Sequence, residues 1–166
     1  RWTDVEHQVA SLGATSPHGL ALGAIAAVAS RGSTVTPMRL AVKTTIPMSV
    51  GLAGSSAIVI ASIRALLRAT NDSLDSDLLA ATALAVETDL LGIPAGLQDR
   101  VVQVHNRPML MRFDPTSTLG SLGAFTPVRA GSDFQLLVAA RPSAAEASEV
   151  VHGDLRALRD ALAPAV

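Results

Sequence analysis

The sequence predicts a mixed α/β protein, and three observations carry that prediction. Long Ala/Leu/Val/Ile-rich runs of helical length are separated by short stretches with strand character. A glycine–serine turn joins one such strand to an apolar helix. Hydrophobic residues make up 49% of the chain although aromatics are only 2%, so the core is built from aliphatic side chains.

The 166 residues carry 13 Lys and Arg against 14 Asp and Glu, a formal net charge of −1. That balance gives no basic face for nucleic acid, and none is expected as a partner. With charged residues at 16%, the apolar content offsets the entropy of ordering, so a disordered chain is excluded. The aromatics are Trp2, Phe113, Phe125 and Phe134, too sparse for a base-stacking platform. The absence of Cys removes disulfides, thiolate catalysis, zinc–thiolate sites and iron–sulfur clusters. Four scattered histidines give no imidazole metal site. No apolar run reaches the roughly 18–20 residues of a membrane span. The opening Arg1-Trp2-Thr3-Asp4 is not a signal peptide, so a cytoplasmic protein without a membrane partner is expected. The chain opens without Met and reads as a fragment.

Pro17 precedes an Ala/Leu-rich run, His18 to Ser30, closed by Arg31-Gly32, which predicts a helix with Pro in its first turn and Gly past its end. Residues 39–46 alternate, with Leu40, Val42 and Thr44 on one side and Ala41, Lys43 and Thr45 on the other. This predicts a strand ended by Pro47. Ala57 to Leu67 is apolar on nearly all sides and predicts a buried helix, closed by Asn71-Asp72-Ser73. Asp75 or Ser76 caps the next helix, Asp77 to about Leu91. Gly92 to Gly96 is a turn, Gln98 to His105 a short helix and Pro108 to Phe113 a strand. Thr116 to Ser132, rich in Gly, Ser and Thr, reads as a loop with at most one edge strand and as the domain boundary. Phe134 to Ala140 predicts a buried strand, and Ala144 to Leu162 an amphipathic helix.

Two groups of residues carry chemistry. Gly51-Leu52-Ala53-Gly54-Ser55-Ser56 opens the apolar helix. A helix start leaves amides unpaired and favours negative charge, glycines admit a bulky anion, and hydroxyls add hydrogen bonds. The turn is therefore either an ordinary N-cap or a cradle for a di- or triphosphate. No Lys follows the last Gly, which separates it from the phosphate loop of the common NTPases. The second group is acidic. Glu87 lies late on an apolar helix, and Asp99 follows twelve positions later, after the Gly92–Gly96 turn. Phosphoryl transfer needs a carboxylate for the metal and another for the attacking hydroxyl, and these two would fill those roles. The competing reading makes Glu87 a solvated helix residue and Asp99 a first-turn residue or the surface partner of Arg100. Arg100 itself is then either that partner or a clamp for an acidic substrate group.

Together the motifs resemble the GHMP small-molecule kinases, the superfamily of galactokinase, homoserine kinase, mevalonate kinase and phosphomevalonate kinase. Pro47-Met48-Ser49-Val50-Gly51-Leu52-Ala53-Gly54-Ser55-Ser56-Ala57 is similar to their central phosphate motif, with Ala53 as an extra residue between Leu52 and Gly54. Ala95-Gly96-Leu97-Gln98-Asp99-Arg100-Val101 and the following Gln103-Val104 resemble the glucuronokinase-like sugar-1-kinases. Pro108 to Asp114 and Leu136 to Ser143 are similar to segments that follow there, so the likeness runs from about Arg39 to Leu155.

The resemblance implies an α/β (α+β two-layer) N-terminal domain over residues 1–131 and the start of a ferredoxin-like C-terminal domain over 132–166. The family's first and third motifs fall outside the chain. It implies ATP and Mg2+ as cofactors. The triphosphate would lie on Gly51, Leu52, Ala53, Gly54, Ser55 and Ser56, the metal on Ser56 and Glu87, and Asp99 would be the catalytic aspartate. Gln98 and Arg100 would lie beside the substrate, where Arg100 would meet a uronate carboxylate. The expected reaction is phosphorylation of the anomeric hydroxyl of a sugar or uronic acid by a monomer or homodimer. Acceptors of the mevalonate, heptose, fucose or galactose type, and a non-catalytic nucleotide- or sugar-binding role, are the alternatives.

Overall fold

A computed structural model describes residues 17–47, 49–113, 123–129, 135–139 and 158. In chain order these form α1 (Pro17–Ser30), α2 (Gly54–Ala69), α3 (Ser76–Ala85) running into a π-helical turn (Val86–Leu90), α4 (Leu97–His105), β1 (Met109–Arg112) and β2 (Ala124–Pro127). Helix α1 packs along α2 and against the π turn, α3 along α4, and α2 touches both α3 and α4.

The core follows from helical spacing. Leu20, Ala24 and Val28 recur every fourth residue on the buried side of α1. They meet Val59, Ile60, Ile63, Leu66 and Leu67 of α2, with Leu79, Ala80 and Ala83 of α3 and Val101 and Val104 of α4 completing the cluster. Small residues set the closest approach. A methyl group on Gly23 would stand 2.7 Å from Val86 Cγ1, so α1 lies directly on the π turn at that point. Helix α2 is more one-sided than its composition suggests: Ala61, Arg64, Ala65 and Arg68 form an exposed stripe.

The helix ends obey local rules. Asp75 caps α3 by accepting the Leu78 amide at 2.8 Å. Past Ala69, the amides of Thr70 and Asp72 return to the carbonyls of Leu66 and Leu67, and left-handed Asn71 (φ 55°) turns the chain away. Asn106 (φ 50°) ends α4 in the same way. The helix expected to run to about Leu91 keeps its α form only to Ala85. It then widens into the π turn, where the Ile93 amide reaches back to the Glu87 carbonyl at 2.7 Å.

Strands β1 and β2 form an antiparallel pair, with Met109 opposite Pro127 and Met111 opposite Phe125. The rings of Phe113 and Phe125 meet edge to face, with centroids 5.9 Å apart. This pair is the only sheet among the described residues. Two expected strands are not formed among the described residues. Residues 39–46 have no ladder partner among the described residues, and most of them are exposed. Residues 135–139, expected as a buried strand, are exposed, Leu136 by 80% and Leu137 by 92%. Alternation or apolarity selects which side of a strand would face a core, but a strand exists only where a neighbour takes its amides and carbonyls. The expected helix over 144–162 lies outside the described residues apart from Leu158, and so does most of the ferredoxin-like segment over 132–166. No described helix is long and apolar enough to cross a membrane.

Candidate active site

The turn before α2 has a distinctive backbone. Ser49, Gly51 and Ala53 have positive φ (56°, 74° and 54°), while Val50 and Leu52 between them do not. Alternation of this kind turns successive N–H groups toward one concave side, the arrangement that cradles anions. Gly51 adopts it without cost. Ala53 carries a Cβ, and its left-handed conformation costs roughly 1–2 kcal/mol. Its carbonyl repays part of that cost by accepting three donors: the Ala57 amide at 3.2 Å, the Ser56 hydroxyl at 3.0 Å and the Gln103 side-chain Nε2 at 2.9 Å. The bond from Ala57 is the first of the helix. The amides of Gly54, Ser55 and Ser56 ahead of it have no carbonyl one turn back within the helix. Gly51 and Leu52 are exposed, Ala53, Gly54 and Ser55 half-buried, and Ser56 fully buried.

The acidic group is organised by Arg100. Glu87, in the π turn, is 0% exposed. Its Oε2 accepts both Nε of Arg100, at 2.9 Å, and Nη2 of the same guanidinium. Nη1 of Arg100 donates to the Gly96 carbonyl at 2.6 Å and lies 3.7 Å from Oδ2 of Asp99. Asp99 keeps 55% of its side chain exposed. The guanidinium thus sits between one sequestered carboxylate and one that faces solvent. Glu87 is not a solvated helix residue, and the acid that Arg100 holds is the protein's own. Gln98, exposed in the first turn of α4, folds its side chain over Gly96.

The two groups meet through α4. Asp99 and Gln103 are four residues apart, hence on one face of this helix. Gln103 binds the Ala53 carbonyl of the turn, while Arg100 binds Glu87 of the π turn. Helix α4 is therefore tied both to the turn and to the π turn, although no hydrogen bond among the described residues joins Ser56 to Glu87 directly.

A family model described as the GHMP kinases N terminal domain matches residues 19–107, more than half of the chain. The chain belongs to the GHMP kinase family. No curated protein and no solved structure gives a match. The matched span contains the Gly51–Ser56 turn, Glu87, Gln98, Asp99, Arg100 and Gln103, and stops before β1.

In this GHMP kinase domain Glu87 and Ser56 would be the residues to hold a magnesium ion, and both offer the oxygen donors such an ion takes. Oε1 of Glu87 is buried without a hydrogen-bond partner among the described residues. A buried carboxylate oxygen left in that state is costly unless a cation or donor meets it. The Ser56 hydroxyl spends its proton on Ala53 and keeps its oxygen lone pairs. Among the described residues no three His, Cys, Asp or Glu side chains gather as an all-protein metal cage, so the protein's share of such a site would be small.

Residue-by-residue reading missed Gln103 and the Gly96 carbonyl. The i, i+4 spacing of Asp99 and Gln103 was the available signal for the first. A separate cavity of about 610 Å³ is lined by Arg64, Leu67, Arg68, Asn71, Leu79 and Val104 among others, and none of the expected site residues borders it.

Proposed function

We propose that this GHMP kinase domain belongs to an ATP-dependent phosphotransferase that acts on the anomeric hydroxyl of a sugar or uronic acid, similar to glucuronokinase. The observation that carries the reading is the double tether of α4, through Gln103 to the Ala53 carbonyl and through Arg100 to Glu87. It supports a reading in which Asp99, one turn before Gln103 on the same helix face, works beside that turn.

In this reading the amides of Gly54, Ser55 and Ser56 and the start of α2 hold the triphosphate. Ser56 and Glu87 hold magnesium, which when bound screens the phosphate charge. Asp99 accepts or orients the proton of the acceptor hydroxyl. That oxygen forms the new bond to the γ-phosphorus while the bridging bond to the β-phosphate breaks and ADP leaves. Positioning and electrostatics supply most of the rate. Gln98, exposed beside Asp99, contacts the acceptor. Arg100 acts on the acceptor indirectly, by fixing Glu87 and flanking Asp99.

The test is a coupled ADP-release assay of the full-length protein against neutral sugars, uronic acids and mevalonate. Sugar-type acceptors are expected to give turnover. Asp99→Ala lowers kcat by about 10²–10⁴-fold, the usual share of a general base, with nucleotide affinity within a few-fold of the parent. Unchanged turnover in Asp99→Ala, or turnover with mevalonate alone, would overturn the assignment.

A further inference from the structure

We infer that Gln103 is a positioning residue for the phosphate-binding turn. The inference rests on the proposed function and deepens it. Ala53 is the extra residue in the motif, and it occupies a left-handed conformation that its Cβ disfavours. An inserted residue of this kind has to be held, or the turn relaxes to a backbone that aims the following amides elsewhere. Two of the three donors on the Ala53 carbonyl come from the same turn, the Ala57 amide and the Ser56 hydroxyl, and both would move with it. Gln103 is different. It comes from α4, fifty residues away in sequence, and is anchored by the buried neighbours Val101 and Val104.

The side-chain amide is itself constrained. Nε2 is committed to Ala53, and Oε1 is buried without a partner among the described residues. Turning the amide over would set that oxygen against the Ala53 carbonyl, two acceptors facing each other. The bond therefore has one workable sense, with Gln103 donating. Because Asp99 lies one turn earlier on the same face, the contact also fixes the spacing between the turn and the exposed carboxylate. In this role Gln103 acts through Ala53.

The expected signature is a loss of affinity that grows with the number of phosphates. Calorimetric titrations of the full-length protein with AMP, ADP and a nonhydrolysable ATP analogue, each with Mg2+, measure it. In Gln103→Met, which keeps the length but donates nothing, the triphosphate analogue is expected to bind at least tenfold more weakly, ADP by an intermediate factor and AMP by less than twofold. A structural role alone would lower all three equally, and that result, or affinities equal to the parent, overturns the inference. Gln103→Asn keeps the amide but is one methylene too short to reach. It must show the same graded loss, and this second variant decides the matter should Gln103→Met fail to fold. A parent protein whose affinity does not rise from AMP to the triphosphate removes the phosphate reading of the turn itself, whereas a graded parent with an ungraded variant removes only the role of Gln103.

Discussion

Replacing Arg100 by Met removes the cation that, among the described residues, pairs with Glu87, while keeping most of the volume. Glu87 is 0% and Arg100 3% exposed, so water cannot take over the role of the guanidinium. Removing one partner of a buried ion pair costs about 3–5 kcal/mol, because the remaining charge is left uncompensated. The Gly96 carbonyl also loses its donor, worth about a further 1 kcal/mol. Each kcal/mol shifts the midpoint of a domain this size by about 2–4 °C, so Arg100→Met is expected to melt roughly 8–24 °C below the parent. Urea unfolding with linear extrapolation gives the free energy directly. The companion double variant, Glu87→Leu with Arg100→Met, removes both charges and should recover most of the loss, since well-packed apolar replacements of buried pairs are often neutral or better. A cycle over the four proteins isolates the coupling. An Arg100→Met protein within 1 kcal/mol of the parent, or a double variant as unstable as the two single losses added, would refute the reasoning.

Three shorter expectations accompany it. Gly23→Ala places a methyl 2.7 Å from Val86 Cγ1; overpacking costs about 2 kcal/mol and better helix propensity returns about 0.5–1, leaving a net loss of about 1–1.5 kcal/mol. Val86→Ala should then cost less in that background than alone, and urea curves showing Gly23→Ala at or above parental stability would contradict the packing described. Asp72 titrates below the usual carboxylate range because the Ser33 hydroxyl and then the Ser73 amide, both at 2.7 Å, donate to it, with Arg31 adding attraction. A depressed folded pKa means that its contribution to stability is present at neutral pH and fades as the pH falls through that value. Ser33→Ala should raise the Asp72 pKa toward the ordinary value in an NMR titration, and an unchanged value would show that the hydroxyl is not the main cause. In the ADP-release assay Arg100→Ala should depress turnover of a uronate and its matching neutral sugar to a similar degree, since the guanidinium faces Glu87; a loss confined to the uronate would place Arg100 on the acceptor.

The helices were legible because each carries its own punctuation. Pro17, Asp75 and the break at Asn71 are local signals, and the structure puts α1, α3 and the end of α2 where they fall. The two missing strands were not legible for the opposite reason. Residues 39–46 and 135–139 have the right side chains, but pairing is a property of two segments, and no second one stands beside them among the described residues. In the candidate site, the Gly51–Ser56 turn that leads into α2 could be read from its glycines and hydroxyls. The pairing of Arg100 with Glu87 could not: thirteen residues and a turn separate them, and sequence offered the neighbouring Asp99 as the simpler partner. Gln103 was hidden more deeply, because its target is a backbone carbonyl that has no residue identity to notice.

The π turn has a consequence for how the domain tolerates change. One residue more than a regular coil requires rotates everything downstream by about 100° around the axis. Glu87 sits inside that widened coil. Its inward aim is therefore governed by winding as much as by identity, and deletion of one residue just ahead of it, such as Val86, would rotate the carboxylate by about 100° away from its buried side. Length variation there should be as damaging as replacing the acid itself.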